Sequence, residues 1–390
     1  MKLGYYYHTE ICEENGNLYI HGYQGVYLDS LAQCVDELLL FMHEGPNEGP
    51  LPDYQLVSNN IRWINLGKKL PAWVRFFTPK RQLNKFLGEL KLLDVMLVRS
   101  PSPLSVAFSY FVDRNKLFYF FVGDYLHGAN NMKVKGIRDF FVKLLIIQID
   151  KALTSVLRNR VIFVNSQKLK SKYSTIASKI IEVRTTTVRE DDMRIRKDTC
   201  KGELIHLLYA GRFDFSKGLN ELIDAFKNLH EIRTNLRLHF VGWEDNPDKP
   251  VLNALFEKVK ENSLDEFVQF HGRKKIGAEL NRMYFNSDIY IIPSFHEGFP
   301  RTIWEAMGQS TPVIATKVGG IPFLLDDKEN SLLIEPKIIN EIVDAVESLI
   351  SDEFLRRKII VNGYEKAKTV TLQNQSKLLI SQIKNEINDY

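Results

Sequence analysis

Residues 288–316 read DIYIIPSFHEGFPRTIWEAMGQSTPVIAT and decide the fold of this chain. The apolar run at the start of this segment ends at Pro293 and a serine, which predicts a buried strand that leads into a loop. Pro300 suits the first turn of a helix, where its missing N–H group costs nothing. Glu297 is therefore expected in the loop and Glu305 within the helix. In a parallel α/β sheet such a loop lies at the carboxyl end of the strands, where ligands bind.

The two glutamates of this segment suit a single ligand, because one lies at the mouth of the loop and the other deeper. Amide groups at the helix start suit an anion such as phosphate. The segment resembles the E-x7-E signature of retaining GT-B glycosyltransferases of the family 4 type. In that family the first Glu faces the donor sugar and the second holds the nucleotide ribose, which implies these roles for Glu297 and Glu305. Four residues between them are also expected at the donor: Gly298, Phe299, Thr302 and Ile303.

The chain has 390 residues, which suggests two or three domains, each long enough to bury a core. Strand-like apolar runs alternate with longer helix-like segments, so α/β units with parallel sheets are expected. The resemblance implies the GT-B class, in which two Rossmann-like domains face a central cleft. We expect an N-terminal acceptor-binding domain at 1–188, a linker at 189–202, a nucleotide-sugar domain at 203–370, and a helix at 371–390 that packs back toward the N-terminal domain.

A second motif begins where a predicted strand ends at Gly211. Arg212 and Lys217 fall in or beside the loop that follows. Fixed cations stabilise the charge that develops on a leaving diphosphate, Arg with a forked contact and Lys as a point charge. The family shows G-R-x4-K-G at this place, so the resemblance implies that both cations contact the donor phosphates. It also implies that neither a metal site nor another cofactor is needed.

Three further residues extend the resemblance to the donor. Gly242 ends the next strand, and backbone atoms near Arg273 are expected to contact the nucleotide base. Gly25 precedes a helical pattern that runs to about Phe41; it is a candidate contact for the donor phosphate, although a plain turn glycine fits equally well. The chain departs from the family at Phe323, where Glu is frequent, and this leaves the donor open.

Two residues compete for the catalytic role on the acceptor side. The family often has a His near the end of the strand that corresponds to residues 117–122, close to the reacting sugar. His127 lies three residues beyond that place and Asp124 lies nearer, so both are candidates. A loop residue without catalytic function fits either position equally well.

Residues 68–81 mix cations with aromatic side chains, a composition that suits a membrane interface with anionic lipid or a single nucleic-acid strand. A basic loop whose aromatic residues fold into the core is the alternative. Many enzymes of the resemblance act on lipid-linked acceptors, which favours a membrane over nucleic acid. The residues expected on this membrane or acceptor side are Lys68, Lys69, Trp73, Arg75, Lys80 and Arg81.

Composition restricts the compartment and the partners. The formal net charge of +4 is too mild to indicate nucleic acid, and no apolar run approaches the length of a membrane span. The three cysteines are scattered and lack metal-ligand spacing, which fits a reducing cytosol. The N-terminal residues lack the apolar core of a signal peptide. We therefore expect a cytoplasmic protein, at the inner face of the membrane if residues 68–81 bind lipid.

The function implied by the resemblance is retaining transfer of a sugar from a nucleoside diphosphate sugar to a hydroxyl of a saccharide or lipid-linked acceptor, in cell-surface glycan or lipid-linked saccharide synthesis. Two other classes stay open. One is a different GT-B enzyme, namely a nucleotide-sugar epimerase or a sugar phosphorylase. The other is a non-catalytic sugar-binding or lipid-surface-binding protein that keeps the fold.

Overall fold

The computed structural model describes residues 1–46, 49–126, 129 and 136–388. The chain divides into two units by its internal contacts. The first unit comprises Met1–Thr185 together with Leu372–Tyr390, and the second comprises Thr186–Thr371.

The sheet of the first unit is mainly parallel, in the strand order β5-β3-β1-β6-β7-β8-β9. The far end of β1 turns back into an antiparallel extension with β2, which pairs in turn with β4. These strands are β1 Lys2–Glu14, β2 Asn17–Ile20, β3 Glu37–Glu44, β4 Tyr54–Gln55, β5 Ile61–Lys68, β6 Val95–Ser100, β7 Leu117–Phe121, β8 Val161–Val164 and β9 Lys179–Glu182.

The sheet of the second unit is parallel throughout, in the order β12-β11-β10-β13-β14-β15. Non-consecutive strands become neighbours where β10 pairs with β13, and this reversal of strand order is where ligands bind in doubly wound sheets. The strands are β10 Ile205–Arg212, β11 Leu236–Trp243, β12 Val268–Phe270, β13 Ile289–Ile292, β14 Val313–Thr316 and β15 Leu332–Ile334.

Helices connect the strands and cover the sheets. The first unit contains α1 Gly22–Ala32, α2 Ala72–Phe77, α3 Pro79–Leu83, α4 Leu87–Lys91, α5 Ile137–Leu157, α6 Gln167–Tyr173 and α13 Leu372–Asn388. The second contains α7 Leu219–Ile232, α8 Pro250–Glu261, α9 Ala278–Phe285, α10 Arg301–Gly308, α11 Ile339–Ser351 and α12 Glu353–Thr369.

Helix α7 shows how the pattern of the sequence produces this packing. Leu219, Leu222, Ile223 and Phe226 recur at helical spacing, and all four are buried against the second sheet. Full burial of one such side chain contributes roughly 1.5–3 kcal/mol, so this single stripe holds the helix in place. The stripe fixes the start of α7, and with it the loop that follows β10.

The final helix, α13, belongs to the first unit although it follows the second in the chain. Its apolar face buries Leu379 and Ile383. The Oγ atoms of Ser30 on α1 and Ser376 lie 3.0 Å apart, and the amide of Arg184 donates to Oε1 of Gln375 at 2.7 Å. The chain therefore returns to the first unit through hydrogen bonds as well as apolar contact.

Two sequence-based expectations are wrong. The helical pattern predicted to reach Phe41 is interrupted, because α1 ends at Ala32 and residues 37–44 form strand β3. The apolar residues of β3 are buried on both faces of the parallel sheet. Such a run shows neither the helical period nor the alternation of a half-buried strand, so its secondary structure cannot be assigned from periodicity.

Residues 189–202, predicted as a linker, lie in the second unit. The amide of Arg194 donates to the carbonyl of Gly308 at 2.9 Å. Asp198 accepts two hydrogen bonds from the Arg356 guanidinium, at 2.7 and 3.0 Å. This bidentate pair is buried, and it ties the charged segment to α12.

Candidate functional site

The loop after β10 is shaped by Gly218. Its φ of +66° is left-handed, and a Cβ atom there would lie 2.1 Å from the carbonyl oxygen of Pro293. The neighbouring Ser216 carbonyl accepts from the amide of Phe295 at 2.8 Å, while Asp214 accepts from the Ser216 amide at 2.9 Å. Glycine is therefore required for the loops that follow β10 and β13 to pack backbone to backbone.

This packing brings together Lys217 and Glu297, two of the residues that the sequence analysis singles out. The Lys217 ammonium lies 2.6 Å from Oε1 of Glu297, and both side chains are mostly buried. The hydroxyl of Ser294 donates to the same carboxylate oxygen at 2.7 Å. Glu297 is thus held by a charged and a neutral donor at the carboxyl edge of the second sheet.

A glycine pair supports the Glu297 loop from behind. Gly319 has a φ of +57°, and a Cβ atom there would lie 1.7 Å from the carbonyl oxygen of Glu297. The amide of Gly320 donates to the carbonyl of Gly298 at 2.7 Å. The position of Glu297 therefore depends on a backbone contact that no side chain larger than hydrogen allows.

Glu305 lies in α10 and is only 7% exposed. The Tyr284 hydroxyl donates to its Oε2 atom at 2.8 Å, and the Thr187 hydroxyl donates to Oε1. Burial, reinforced by the Glu305 charge, raises the pKa of Tyr284 well above its usual range, so Tyr284 stays a donor at neutral pH. A carboxylate offers about four acceptor positions, which leaves Glu305 able to accept from a ligand as well.

Arg212 ends β10 and is half exposed. Its Nη1 atom lies 3.3 Å from Oδ2 of Asp245, a side chain that is 64% exposed. Arg212 and Asp245 line a cavity of about 350 Å³, whose other lining residues are Phe213, Asp214, Phe215, Glu244, Asn246, Pro250 and Val251. The loop after β10 thus carries an accessible cation next to the cavity.

The pKa of Asp214 connects the two cations of this loop. Hydrogen bonds from Ser216 lower the pKa of the Asp214 carboxyl against the effect of burial, and the charges of Arg212 and Lys217 lower it further. Both cations therefore act on the same carboxylate, that of Asp214.

The other predicted donor residues lie around this edge. Gly211 and Gly242 are register partners, and a Cβ atom on Gly242 would meet the Gly211 carbonyl oxygen at 1.8 Å. The Arg273 guanidinium lies 4.8 Å from the centre of the Trp243 ring. The remaining contacts are internal: Phe299 stacks on Trp304 at 4.6 Å, the Tyr290 hydroxyl donates to Thr302 Oγ1 at 2.7 Å, and Ile303 is buried.

Three side chains that position the glutamates were missed from the sequence: Ser294, Tyr284 and Thr187. Ser294 lies three residues before Glu297, so its proximity could have been anticipated from the loop. Tyr284 and Thr187 are separated from Glu305 by 21 and 118 residues, and no local pattern indicates those contacts. Thr187 stands in the stretch where the resembled family often has Asn-Gly.

In the first unit, Gly25 and Asp124 are engaged in local structure. Gly25 lies inside α1, its amide donates to the His21 carbonyl at 3.0 Å, and a Cβ atom there would meet the Tyr54 ring at 2.1 Å. Asp124 pairs with the Lys172 ammonium at 2.7 Å. His127 lies outside the described residues.

The basic and aromatic segment is divided between surface and interior. Trp73 and Phe77 are 60% and 69% exposed, and the cations Lys68, Lys80 and Arg81 are exposed. Lys69 pairs with Glu10 at 3.5 Å. Across the described part of the chain, no helix has both the length and the apolar character needed to span a membrane.

Arg75, the remaining cation of this segment, was predicted on a membrane-facing or acceptor side. As a membrane contact the prediction is wrong, because Arg75 is only 6% exposed. Its Nε atom donates to the carbonyl of Leu70 at 2.9 Å. Helix α2 turns this position inward, toward the core of the first unit, while Trp73 and Phe77 point outward.

Part of the chain is similar to known proteins. Residues 192–366 match the family model described as glycosyl transferases group 1. An uncharacterized glycosyltransferase of Methanocaldococcus jannaschii, MJ1607, is 30% identical over 164 residues, which cover 41% of this chain and 40% of that protein. The capsular polysaccharide biosynthesis glycosyltransferase CapM of Staphylococcus aureus is 28% identical over 167 residues, or 41% of this chain and 40% of CapM. The chain thus spans less than half the length of these relatives.

The similarity to solved structures extends over the whole chain. The crystal structure of Anabaena HepE in complex with UDP has a TM-score of 0.72 at 14% identity, and covers 99% of this chain and 100% of HepE. The α/β fold with parallel sheets thus matches GT-B glycosyltransferase structures, and within it residues 192–366 match the glycosyl transferases group 1 family.

Proposed function

We propose that this protein is a retaining glycosyltransferase of the family 4 type, which transfers a hexosyl-type unit from a nucleoside diphosphate sugar to an acceptor hydroxyl. The observation that carries the proposal is the Lys217–Glu297 pair, 2.6 Å apart at the carboxyl edge of the second sheet. The family match at residues 192–366 includes both residues and supports the proposal.

In this proposal the donor diphosphate binds to Arg212 and Lys217. The Asp245 carboxylate that pairs with Arg212 is exposed, and exposed pairs contribute only about 0–1 kcal/mol, so a diphosphate can replace it. As the bond between the sugar and the diphosphate breaks, negative charge grows on the leaving oxygen. The two cations stabilise that charge, the role that a metal ion has in other glycosyltransferases.

The acceptor hydroxyl attacks the anomeric carbon on the face from which the diphosphate leaves. The new carbon–oxygen bond forms as the bond to the diphosphate breaks, and the leaving phosphate oxygen takes the hydroxyl proton. The anomeric configuration is therefore retained. Glu297 contacts the donor sugar, and the contacts from Lys217 and Ser294 hold its carboxylate in one orientation.

Glu305 takes a different role, because it is buried and already accepts from two hydroxyl groups. We assign it to the ribose of the nucleotide, whose hydroxyl groups are hydrogen-bond donors. The ribose does not change during the reaction, so this contact acts equally in the ground state and the transition state. The UDP bound to Anabaena HepE supports a nucleoside diphosphate as the ligand.

We assign the acceptor, a saccharide or a lipid-linked saccharide, to the first unit. The exposed Trp73 and Phe77 beside three exposed cations favour peripheral contact with an anionic membrane over contact with nucleic acid. The similarity to CapM supports a role in polysaccharide biosynthesis. On this proposal the enzyme acts in the cytoplasm, at the inner face of the membrane.

A two-stage experiment tests the proposal. Thermal unfolding with a panel of nucleoside diphosphates and nucleotide sugars identifies the donor, because a ligand of the native state raises the melting temperature. Turnover of that donor with candidate acceptors is then followed by NMR of the anomeric proton, which must show retention. Turnover without an acceptor would indicate an epimerase, dependence on inorganic phosphate a phosphorylase, and an unreacted complex with every acceptor a binding protein.

A further inference from the structure

Glu305, the buried carboxylate that the proposed function assigns to the nucleotide ribose, already accepts a hydrogen bond on each of its oxygens. The Tyr284 hydroxyl donates to Oε2 at 2.8 Å, and the Thr187 hydroxyl donates to Oε1. Both donors come from the protein itself. How Glu305 binds a ligand therefore depends on whether either donor can turn away from it.

Tyr284 is fixed at the end of α9. The residue is fully buried, and its ring packs edge-on against the ring of Tyr290, with 5.5 Å between the ring centres. The Thr311 hydroxyl donates to the Tyr284 carbonyl at 2.8 Å. Burial, reinforced by the Glu305 charge, raises the pKa of Tyr284 well above its usual range, so the phenol keeps its proton. Tyr284 therefore stays a donor to Oε2.

Thr187 is held just as closely on the other side of the carboxylate. It is 6% exposed, and its β-branched side chain has few rotamers available. The next residue, Val188, packs against α10, where a Cβ atom on Gly308 would meet Val188 Cγ1 at 3.1 Å. The Val188 amide donates to Thr186 Oγ1 at 3.1 Å. The backbone on both sides of Thr187 is thus fixed.

The chain beyond Thr187 stays bonded to the C-terminal end of α10, the helix that carries Glu305. The Arg194 amide donates to the Gly308 carbonyl at 2.9 Å, and the side-chain amide of Gln309 donates to the Asp192 carbonyl at 2.8 Å. The Thr187 backbone could leave α10 only if these bonds also broke. The Thr187 hydroxyl therefore remains a partner of Oε1.

These fixed donors limit what Glu305 can offer to a ribose, which presents neighbouring hydroxyl groups at its 2′ and 3′ positions. A carboxylate holds two donors of one ligand best when each of its oxygens accepts from one of them, as in bidentate pairing with arginine. Each oxygen of Glu305 already has a protein donor, and the residue is only 7% exposed. One ribose hydroxyl can use the remaining acceptor capacity, whereas a second would compete with a fixed protein donor.

We propose that Glu305 accepts a hydrogen bond from only one ribose hydroxyl, and that Thr187 determines this specificity by occupying Oε1. The inference rests on the proposed transferase function and defines its donor class more closely. The donor needs only one of the two ribose hydroxyls, so a nucleoside diphosphate sugar that lacks the other hydroxyl is also a donor. A carboxylate that accepted from both would reject such a nucleotide, because an acceptor would lose its partner.

The test is calorimetric titration of the full-length protein with UDP, 2′-deoxy-UDP, 3′-deoxy-UDP and pyrophosphate. If the thermal panel selects another base, the same three forms of that nucleotide are used. We expect one deoxy analogue to bind about tenfold or more weakly than the parent nucleotide, since it loses a hydrogen bond to a charged group. The other analogue should bind within about threefold of the parent. Pyrophosphate measures the phosphate contacts alone.

Thr187→Val removes the hydroxyl, keeps the shape of the side chain and frees Oε1. The analogue that the wild-type protein tolerates should then bind about tenfold more weakly than the parent nucleotide, because the second ribose hydroxyl gains an acceptor. Thr187→Ser keeps the hydroxyl and should restore the wild-type ratio of affinities. Thr186→Val is the matched control and should keep that ratio, since Thr186 bonds to the Val188 amide. The ratio is decisive, because a purely structural defect weakens all three nucleotides alike.

Wild-type protein in which both analogues, or neither, bind tenfold more weakly than the parent would overturn the single-hydroxyl contact. An unchanged ratio in Thr187→Val would overturn the role of Thr187. If that variant does not fold, the wild-type titrations still decide the number of hydroxyl contacts. Failure of the wild-type protein to bind any nucleoside diphosphate is a separate result, and it counts against the transferase function itself.

Discussion

The charged side chains at the carboxyl edges of the two sheets differ in whether they are paired within the protein. At the second edge the charges are satisfied within the protein, since Lys217 pairs with Glu297 and Glu305 accepts from Tyr284 and Thr187. At the first edge, Arg75 and Arg99 are buried without any ion-pair partner in the described part of the chain. Internal pairing holds side chains in place before a ligand arrives, whereas a buried charge without an ion pair leaves the cost of its desolvation uncompensated.

The same contrast applies to stability. A group that the fold itself satisfies contributes to the folded state, and its removal destabilises the protein. A buried charge without an ion pair contributes less to the folded state, and its removal destabilises the protein less. The comparison therefore predicts that mutations at buried charges that look alike in the sequence change the free energy of unfolding by different amounts.

The largest effect is expected at Asp198. Asp198→Ala removes the partner of Arg356, a side chain that is 2% exposed, and should lower the free energy of unfolding by about 3–5 kcal/mol. Arg75→Gln should lower it by a smaller amount, about 1 kcal/mol, because it leaves the Leu70 carbonyl without its donor but leaves no buried charge unpaired. Denaturant unfolding measures both values. Asp191→Ala, at an exposed aspartate of the same segment, is the control.

The same pair predicts a pH dependence. Burial alone would raise the pKa of the Asp198 carboxyl, but hydrogen bonds from Arg356 and Lys201 outweigh burial and lower the pKa to about 2. A lowered pKa means that the contribution is complete above the unfolded value near 3.9 and is lost as the pH falls toward 2. Asp198→Ala should therefore flatten the acid limb of stability between about pH 4 and 2. Similar slopes in the two proteins would show that the pair contributes nothing.

The next effect concerns the internally paired cation. Lys217→Ala should lower kcat by about 100-fold or more, as does the loss of one preorganised donor to a developing negative charge. Arg212→Ala should have an effect of the same order. Release of nucleoside diphosphate measures turnover, and Lys227→Ala on the exposed side of α7 is the control. Near-normal turnover in both variants would contradict the assignment of Arg212 and Lys217 to the donor diphosphate.

Sequence reasoning succeeded where the relevant contacts are local. The strand, loop and helix around Glu297 follow from an apolar run, a Pro-Ser turn and Pro300, and the loop that carries Lys217 follows from the start of α7. Each depends on residues within a few positions of one another. This locality is why the parts of the second unit that carry the site could be placed.

Sequence reasoning failed where the structure depends on which side of an element packs inward or on contacts between residues far apart in the chain. The cations of residues 68–81 read as one basic face, yet α2 turns Arg75 inward, and no charge pattern shows which side of a short helix packs. Strand β3 was taken for helix because a run buried on both faces has no period. The hydrogen bond from Thr187 to Glu305 results from tertiary packing alone.

Substitutions of Glu305 and Glu297 should affect different quantities, nucleotide affinity and kcat. Glu305→Ala should weaken nucleoside diphosphate binding about tenfold, since it removes hydrogen bonds to a charged group, and Glu297→Ala should mainly lower kcat. Tyr284→Phe should weaken nucleotide binding by a smaller factor in the same direction, because it only releases one constraint on Glu305. Calorimetry and steady-state kinetics measure the two quantities. Equal losses of nucleotide affinity in the two alanine variants would refute the division.

The smallest effect per residue is expected at the exposed surface of the first unit. Each cation near an anionic bilayer contributes about 1 kcal/mol, and the attraction weakens as salt rises. Replacing Lys68, Lys80 and Arg81 with Gln should therefore reduce co-sedimentation with anionic liposomes at low salt. Trp73→Ala and Phe77→Ala should reduce the part of binding that persists at high salt, because both rings are exposed apolar surface.

Two variants serve as controls for liposome binding by this surface. Phe354 in the second unit is 81% exposed, and Phe354→Ala should leave liposome binding unchanged. Arg75→Gln should also leave it unchanged, since a buried guanidinium does not reach the bilayer surface. Liposome binding that falls equally in Arg75→Gln and in the Lys68, Lys80 and Arg81 variant would contradict the separation of a buried Arg75 from the exposed cations. Absence of binding at low salt would leave residues 68–81 as a solvated loop and make a soluble acceptor the better assignment.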